Sequence, residues 1–291
     1  MSAALLPRRR FLALTACALI PQKAHADTWS GTGLGAALSL RLIGGTRQQS
    51  ARAFARVEQE ITRIEAMASL YRDSSLTRLN HDGHLAYPSA ELSDLLGLAG
   101  RVHAATGGIF DPTVQPLYRA LATDQPPDRS LIGWERVQIS PQEIRLDRGQ
   151  ALTLNGIAQG WAADRIAQIL RSEGFANALI DMGEVQALGT RDGVSPWHAE
   201  VQTPDGETRA AVLLSNRALA TSAPFGTRIG AHGLPHILGP QGQSPVWTTV
   251  SVSAPSAALA DALSTAFCLM PTAAIEQALA QFPEARLEAA L

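Results

Sequence analysis

Three separated segments of the chain carry residues whose types and spacing suit the binding of a phosphorylated ligand. The first covers residues 106–117 and reads TGGIFDPTVQPL. Its two adjacent glycines permit backbone conformations that other residues resist, and Pro112 restrains the backbone of Asp111 to extended conformations. A rigid turn that presents one carboxylate and several backbone amides could hold a polar ring or a phosphate. The same string is also compatible with an ordinary turn at the end of a helix.

The second segment covers residues 153–165 and reads TLNGIAQGWAADR. A strand pattern passes through small residues into a helix, and the first backbone amides of such a helix attract phosphate oxygens. Gly156 and Gly160 would let a ligand approach the backbone closely. Junctions of this kind also occur in purely structural roles, so the segment alone assigns no function.

The third segment covers residues 260–266 and reads ADALSTA. Asp261 and Thr265 are four residues apart and therefore share one face of a helix, with Ser264 beside them. A carboxylate and hydroxyls are hard oxygen ligands, which suit Mg²⁺ better than zinc. The alternative is that Asp261 caps the helix and the hydroxyls bond back to the backbone.

Residue usage excludes several chemistries. The only lysine is Lys23, which lies in a predicted signal peptide, so the mature chain has no Schiff-base or P-loop lysine. If Cys17 leaves with the signal, Cys268 is the only thiol and an internal disulfide cannot form. The histidines show no metal-ligand spacing, and Ser222 lacks the Gly-x-Ser-x-Gly pattern of a hydrolase nucleophile.

Residues 1–26 are predicted to be a twin-arginine signal peptide. Residues 8–12 read RRRFL, an apolar run follows to residue 20, and Ala-His-Ala at 24–26 provides a small-x-small cleavage site. The mature domain would therefore cover residues 27–291 and lie in the periplasm. The string Leu-Thr-Ala-Cys at 14–17 also resembles a lipoprotein signal, with Cys17 as the lipidated residue, but the preceding apolar run is short.

The mature chain of 265 residues is long enough for one large domain or two small ones. The signal holds four of the 24 basic residues and none of the 26 acidic ones, which leaves the mature chain with a net charge of −6. Without a basic run we expect no nucleic-acid partner, and without a later long apolar segment we expect no transmembrane helix.

The elements around these segments are predicted from apolar spacing. Strands are predicted at residues 29–42, 137–140, 143–146, 178–183, 198–203, 209–214 and 246–252. Helices are predicted at residues 48–70, 89–106, 157–172, 257–270 and 272–281. Long helices mixed with several antiparallel strands indicate an α+β, or mixed α/β, fold.

Taken in order, these segments resemble the ApbE family of FAD:protein FMN transferases. Its opening Met-Gly-Thr corresponds to residues 30–32, its Tyr-Ser-Asn pattern to Tyr71, Ser75 and Asn80 with a one-residue difference in spacing, and its longest strings to residues 106–117 and 156–165. Its later strings correspond to residues 220–222, 236–240 and 260–266. The likeness covers nearly all of the mature chain and implies a single domain of two intertwined α+β subdomains.

The resemblance also implies an activity and a set of site residues. The enzyme would bind FAD and Mg²⁺, transfer FMN to a Ser or Thr hydroxyl of an acceptor flavoprotein, and release AMP. Asp261 would serve as a catalytic residue and metal ligand together with Thr265, Ser264 and the backbone carbonyl of Gly156, and His236 would be the base. The predicted FAD-binding residues are Ser30, Tyr71, Ile109, Phe110, Asp111, Thr153, Gln159 and Leu238.

Five positions depart from the commoner family pattern, namely Ser30, Gln159, Glu184, Ala223 and Gly239. They motivate one alternative, a periplasmic FAD-binding carrier or chaperone without transfer activity. A second alternative is a Mg²⁺-dependent FAD pyrophosphatase, in which water replaces the acceptor. The Gln-Gly variant at 159–160 and the twin-arginine signal resemble the exported flavinyltransferases of nitrous-oxide respiration. In that case the acceptor would be a membrane-bound electron-transfer protein.

Overall fold

The computed structural model describes residues 26–203 and 206–291. The predicted signal peptide, with Cys17, lies outside these residues apart from Ala26, which begins the first strand. Within residues 26–203 and 206–291, no helix combines the length and the apolar character needed to cross a membrane.

Seven α-helices are found in the described part of the chain, with short 3₁₀ turns around residues 112–114, 129–131 and 134–136. The helices are α1 (Arg47–Ala68), α2 (Ser75–Asp82), α3 (Ala90–Ala105), α4 (Gln115–Ala122), α5 (Ala158–Ser172), α6 (Ala257–Phe267) and α7 (Thr272–Leu279).

The strands of the described residues are mostly short. They are β1 (Ala26–Gly33), β2 (Ala36–Ile43), β3 (His84–Ala86), β4 (Gln138–Ile139), β5 (Glu143–Arg145), β6 (Asn177–Asp181), β7 (Val185–Leu188), β8 (Trp197–Gln202), β9 (Thr208–Leu214), β10 (Arg217–Ser222), β11 (Arg228–Ile229), β12 (Leu234–Pro235), β13 (Val250–Ala254) and β14 (Arg286–Ala290).

The main sheet has seven strands in the order β1-β2-β6-β7-β10-β13-β14, and every neighbouring pair is antiparallel. Helices α5 and α6 pack against each other and against this sheet, α6 on β10 and β13 and α5 on β6 and β7. Apolar residues of the hairpin β8–β9 form a separate cluster with Leu219 of β10. Ala218 and Ala220, the residues on either side of Leu219 in β10, belong to the main core. Because adjacent side chains of a strand point to opposite faces, the hairpin covers the face of the sheet opposite the helices.

Local signals explain where the long helices begin. The Thr46 side chain accepts a hydrogen bond from the backbone N–H of Gln49 at the start of α1, and Ser256 does the same for Leu259 in α6. Helix α1 buries one stripe that includes Val57, Ile61 and Ile64, as expected of an amphipathic surface helix. Helix α6 is buried on nearly all sides because it lies between the sheet and α5.

The structure confirms the α+β fold class and corrects several element predictions. The single strand predicted at 29–42 is a hairpin, because Leu34 and Gly35 both take positive φ values, 52° and 78°, and reverse the chain. The strand predicted at 246–252 begins only at residue 250. Strands β7, β10 and β14 lacked a clear alternating pattern and were not predicted, since β7 and most of β10 are buried on both faces.

Candidate active site

A cavity of about 600 Å³ brings the three predicted segments together. The loop after α3, the start of α5, the end of β10 and the middle of α6 all contribute to its walls. Ten of the residues predicted to act in the site line it: Ile109, Phe110, Asp111, Thr153, Gly156, Gln159, His236, Leu238, Asp261 and Thr265. Residues separated by more than 150 positions in the sequence therefore share one space.

The position of Asp261 is fixed by the helix that faces it. Its Oδ2 accepts a hydrogen bond of 3.1 Å from the backbone N–H of Gly160, in the first turn of α5. The first-turn N–H groups of a helix have no partner within that helix, and their partial positive charge favours a carboxylate. The predicted alternative, that Asp261 caps its own helix, is wrong: Ser256 caps α6 and Asp261 serves α5.

Thr265 lies directly against Gly156. A β-carbon at position 156 would be 3.0 Å from Thr265 Oγ1 and 3.1 Å from its Cγ2. Only a glycine leaves this space open, so the main chain at 156 comes close to the hydroxyl. The structure thus places the Asp261 carboxylate, the Thr265 hydroxyl and the main chain of Gly156 in the wall of one cavity.

This donor set fits a hard divalent cation. Mg²⁺ takes oxygen ligands and is usually bound by one or two carboxylates with further oxygens from water or substrate. Within the described ranges, no group of three His, Cys, Asp or Glu side chains is arranged to hold a metal ion. A cation here would therefore draw on the hydroxyl of Thr265 and on main-chain oxygen in addition to carboxylate.

Ser264 does not line the cavity, although it was predicted as a third metal ligand. It is fully buried, its hydroxyl donates to the carbonyl oxygen of Asp261 over 3.0 Å, and it lies 2.7 Å from the hydroxyl of Ser222. The Ser222 hydroxyl also lies 3.4 Å from Thr265 Oγ1. In this structure Ser264 supports the wall from behind.

Among the described residues, three carboxylates and no Lys or Arg line the cavity: Asp111, Glu184 and Asp261. Asp111 is buried and accepts two hydrogen bonds from Thr113, 2.8 Å from the backbone N–H and 2.6 Å from the hydroxyl. Burial and the nearby Asp261 carboxylate, with a smaller effect of Asp181, raise the pKa of Glu184 well above its usual range. The electrostatic character of the cavity is therefore that of a cation site.

His236 is held in one tautomer by main-chain carbonyls. Its Nδ1 lies 2.9 Å from the carbonyl oxygen of Pro224 and 3.2 Å from that of Thr227. Both partners are acceptors, so Nδ1 carries the proton and Nε2 is the basic nitrogen of the neutral ring. A histidine in this state can accept a proton from a ligand bound in the cavity.

Gln159 and Phe110 are both buried, and both line the cavity. The Gln159 amide donates to the carbonyl oxygen of Leu34 over 3.3 Å, which ties the start of α5 to the β1–β2 turn. The same amide packs against Gly183, where a β-carbon would come within 2.7 Å of it. Gln159 therefore has a structural role besides its place in the cavity lining.

Two residues predicted to bind FAD lie outside the cavity lining, and two aromatic residues within it were not predicted. Ser30 is exposed on β1, and Tyr71 is 65 % exposed after α1. Tyr118 and Phe225 line the cavity instead. Tyr118 immediately follows the 106–117 string, and its position one residue beyond that string is the only sequence signal for it.

Comparison with known proteins identifies relatives along most of the chain. The sequence model described as the ApbE family matches residues 34–291. A protein from Salmonella typhimurium named FAD:protein FMN transferase is 24% identical over 277 residues, which cover 85% of this chain and 79% of the relative.

Solved structures show the same fold. The flavin transferase ApbE from Vibrio cholerae superposes with a TM-score of 0.75 at 25% identity, covering 89% of this chain and 90% of that one. The ApbE protein from Thermotoga maritima gives a TM-score of 0.78 at 25% identity, covering 90% and 93% of the two chains.

Proposed function

This chain belongs to the ApbE family, and from that premise we propose that it is a Mg²⁺-dependent FAD:protein FMN transferase. FAD would be the donor substrate, a Ser or Thr hydroxyl of another flavoprotein the acceptor, and AMP the second product. The names of the relatives, which are FAD:protein FMN transferases, support an enzyme that transfers flavin.

The observation that carries the proposal is the meeting of residues 156 and 261–265 in a cavity whose described lining has carboxylates but no Lys or Arg. A pyrophosphate is strongly anionic, so a cavity of this charge can hold one only together with a cation. Asp261, Thr265 and the Gly156 carbonyl would hold Mg²⁺, which when bound neutralises charge on the phosphates.

The protein residues would align the two reacting groups. The acceptor hydroxyl oxygen forms a bond to the phosphorus of the FMN half, and the bond from that phosphorus to the bridging oxygen breaks, so AMP leaves with the bridging oxygen. His236 Nε2 would take the hydroxyl proton, since its Nδ1 proton is held by carbonyls. Phe110, with Ile109 and Leu238, would exclude water from the rings of the bound FAD.

The proposal is tested by incubating the mature protein, beginning at Asp27, with FAD, Mg²⁺ and a flavoprotein from a membrane of the source organism. We expect acid-stable flavin fluorescence on the acceptor band, one AMP per label, and loss of both in Asp261→Ala. Asp94→Ala, which removes an exposed carboxylate of α3, is the matched control and should retain activity.

Two other outcomes would replace the proposal. Free FMN and AMP without a labelled protein would identify a pyrophosphatase. Tight FAD binding without AMP, unchanged in Asp261→Ala, would identify a carrier or chaperone. A membrane-bound electron-transfer flavoprotein encoded next to this gene is the first acceptor to test, given the resemblance to the exported enzymes of nitrous-oxide respiration.

The site of action is proposed to be the periplasm. The twin-arginine pattern at residues 8–12 and the Ala-His-Ala sequence at 24–26 support this location. Replacing Arg8 and Arg9 by Lys should leave the protein uncleaved in the cytoplasm, whereas Cys17→Ser should not change its location. A membrane-to-soluble shift in Cys17→Ser would instead indicate a lipid anchor.

A further inference from the structure

We infer that Glu184 is a second carboxylate ligand of the divalent cation bound at Asp261, so that the protein binds this cation before any dinucleotide arrives. The inference rests on the proposed function for the location of the cation, and adds a residue and an order of binding to it. The sequence had marked Glu184 only as a departure from the family pattern.

The turn between β6 and β7 carries Glu184 into the cavity. Gly183 takes a φ of 95°, which favours glycine, and its N–H donates to Asp181 Oδ1 over 3.1 Å. This reverses the chain within three residues, since Asp181 already pairs with Val185. Glu184 is thereby placed immediately before β7, where it is 5% exposed and lines the cavity.

One oxygen of Glu184 is fixed by the neighbouring strand. The pairing of β7 with β10 ends at Val185 and Leu219. Two residues further along β10, the backbone N–H of Thr221 donates to Glu184 Oε2 over 3.1 Å. The side chain therefore takes over the hydrogen bond that a longer β7 would have supplied. A carboxylate held in this way cannot turn out to solvent to relieve its charge.

Glu184 and Asp261 are close enough to act on each other electrostatically, and both line the same cavity. Two neighbouring buried carboxylates repel unless a proton or a cation lies with them. Among the residues that the structure describes, no Lys or Arg lines the cavity. A divalent ion would neutralise both carboxylates, and the affinity of an oxygen site for such ions rises with its number of charged ligands.

The experiment measures Mn²⁺ binding to the mature protein without FAD or acceptor, by isothermal calorimetry and by the electron paramagnetic resonance signal of free Mn²⁺. We expect Glu184→Gln to weaken binding by about tenfold or more, as removal of one charged ligand should. Gln keeps an oxygen for the Thr221 N–H, and the loss of charge relieves repulsion, so the metal-free variant should melt no lower than the wild type. Glu276→Gln removes an exposed carboxylate from α7 and should bind as the wild type does.

The outcomes separate this inference from the proposed function. Equal Mn²⁺ affinity in the wild type and Glu184→Gln, with weaker binding in Asp261→Asn, would overturn the inference and leave the transfer reaction untouched; Glu184 would then hold a proton. Absence of Mn²⁺ binding by the wild type without FAD would also overturn it. A drop in affinity in Glu184→Gln would support it even if no FMN transfer were found.

Discussion

The main chain at Gly160 lies so close to Ala257 that a β-carbon at position 160 would be 2.3 Å from the carbonyl oxygen of Ala257. At this contact the first turns of α5 and α6 meet. Each helix also gives a carboxylate to the other: Asp164 of α5 accepts the N–H groups of Ala257 and Ala258, and Asp261 of α6 accepts that of Gly160. The crossing of α5 and α6 therefore sets the distance between the residues that these two helices contribute to the candidate site.

Replacing Gly160 by Ala should strongly destabilise the protein. The new methyl group would meet backbone atoms of Ala257 and Ala258, which cannot rotate away, so the helices must separate. We expect a loss of about 3 kcal/mol or more in the free energy of unfolding, measured by urea denaturation.

Gly97→Ala provides the matched control, because Gly97 lies in α3 and a β-carbon there meets open space. That variant should be neutral or gain up to about 1 kcal/mol from helix propensity. Equal stabilities for the two variants would show that α5 and α6 do not approach each other as described.

Replacing Asp164 by Ala should loosen the same crossing from the other side. The Asp164 carboxylate accepts the Ser256 hydroxyl over 2.7 Å and the N–H groups of Ala257 and Ala258 over 2.8 and 3.0 Å. Without it, two N–H groups at the buried start of α6 lose their partner, which should cost about 1–3 kcal/mol. Asp94→Ala, at an exposed position of α3, should change the unfolding free energy by less than about 0.5 kcal/mol. Matching denaturation curves for the two variants would contradict this role.

Most of the site residues that the resemblance implies line the cavity, and most of these lie in a few contiguous strings. Residues 106–117 contain a turn, residues 156–165 contain the start of α5, and residues 260–266 lie within α6, where helical spacing indicates which side chains share a face. Ser264 shows the limit of this reasoning. It shares a helix turn with Asp261 and Thr265, but its buried hydroxyl contacts that of the lining residue Ser222 and does not itself line the cavity. Helical spacing alone could not separate a lining hydroxyl from a supporting one.

The role of Glu184 and the crossing of α5 and α6 depended on tertiary contacts that no local pattern encodes. Glu184 reaches the cavity only because β6 and β7 form a tight hairpin whose second strand the sequence did not reveal. Asp164 reads as a surface residue of a helix, yet it caps a different helix 92 residues away. Such contacts are set by the packing of elements, which overrides the local expectation.

The thiol of Cys268 should be unreactive while the protein is folded. It is fully buried, its Sγ donates to the carbonyl oxygen of Ser264 over 3.3 Å, and burial raises the pKa of the thiol far above its ordinary value. We expect no reaction of the mature protein with Ellman's reagent between about pH 7 and 9, and one thiol per chain after denaturation. Labelling of the native protein that speeds up with pH would mean that the thiolate is accessible.

The contact between Gly156 and Thr265 yields the last prediction. In Gly156→Ala the new methyl group would lie 3.0 Å from Thr265 Oγ1 and 3.1 Å from Cγ2, so the threonine side chain must move away from the main chain at 156. We expect Mn²⁺ binding by this variant to weaken by about tenfold, because two oxygen donors lose their shared position. Thr265→Ala removes the hydroxyl and also the atoms that the methyl group would strike. If both residues act on one cation, Gly156→Ala should therefore cost much less in the Thr265→Ala background than in the wild type. Fully additive losses across this double-mutant cycle, measured by calorimetry on all four proteins, would mean that the two segments do not hold the same ion.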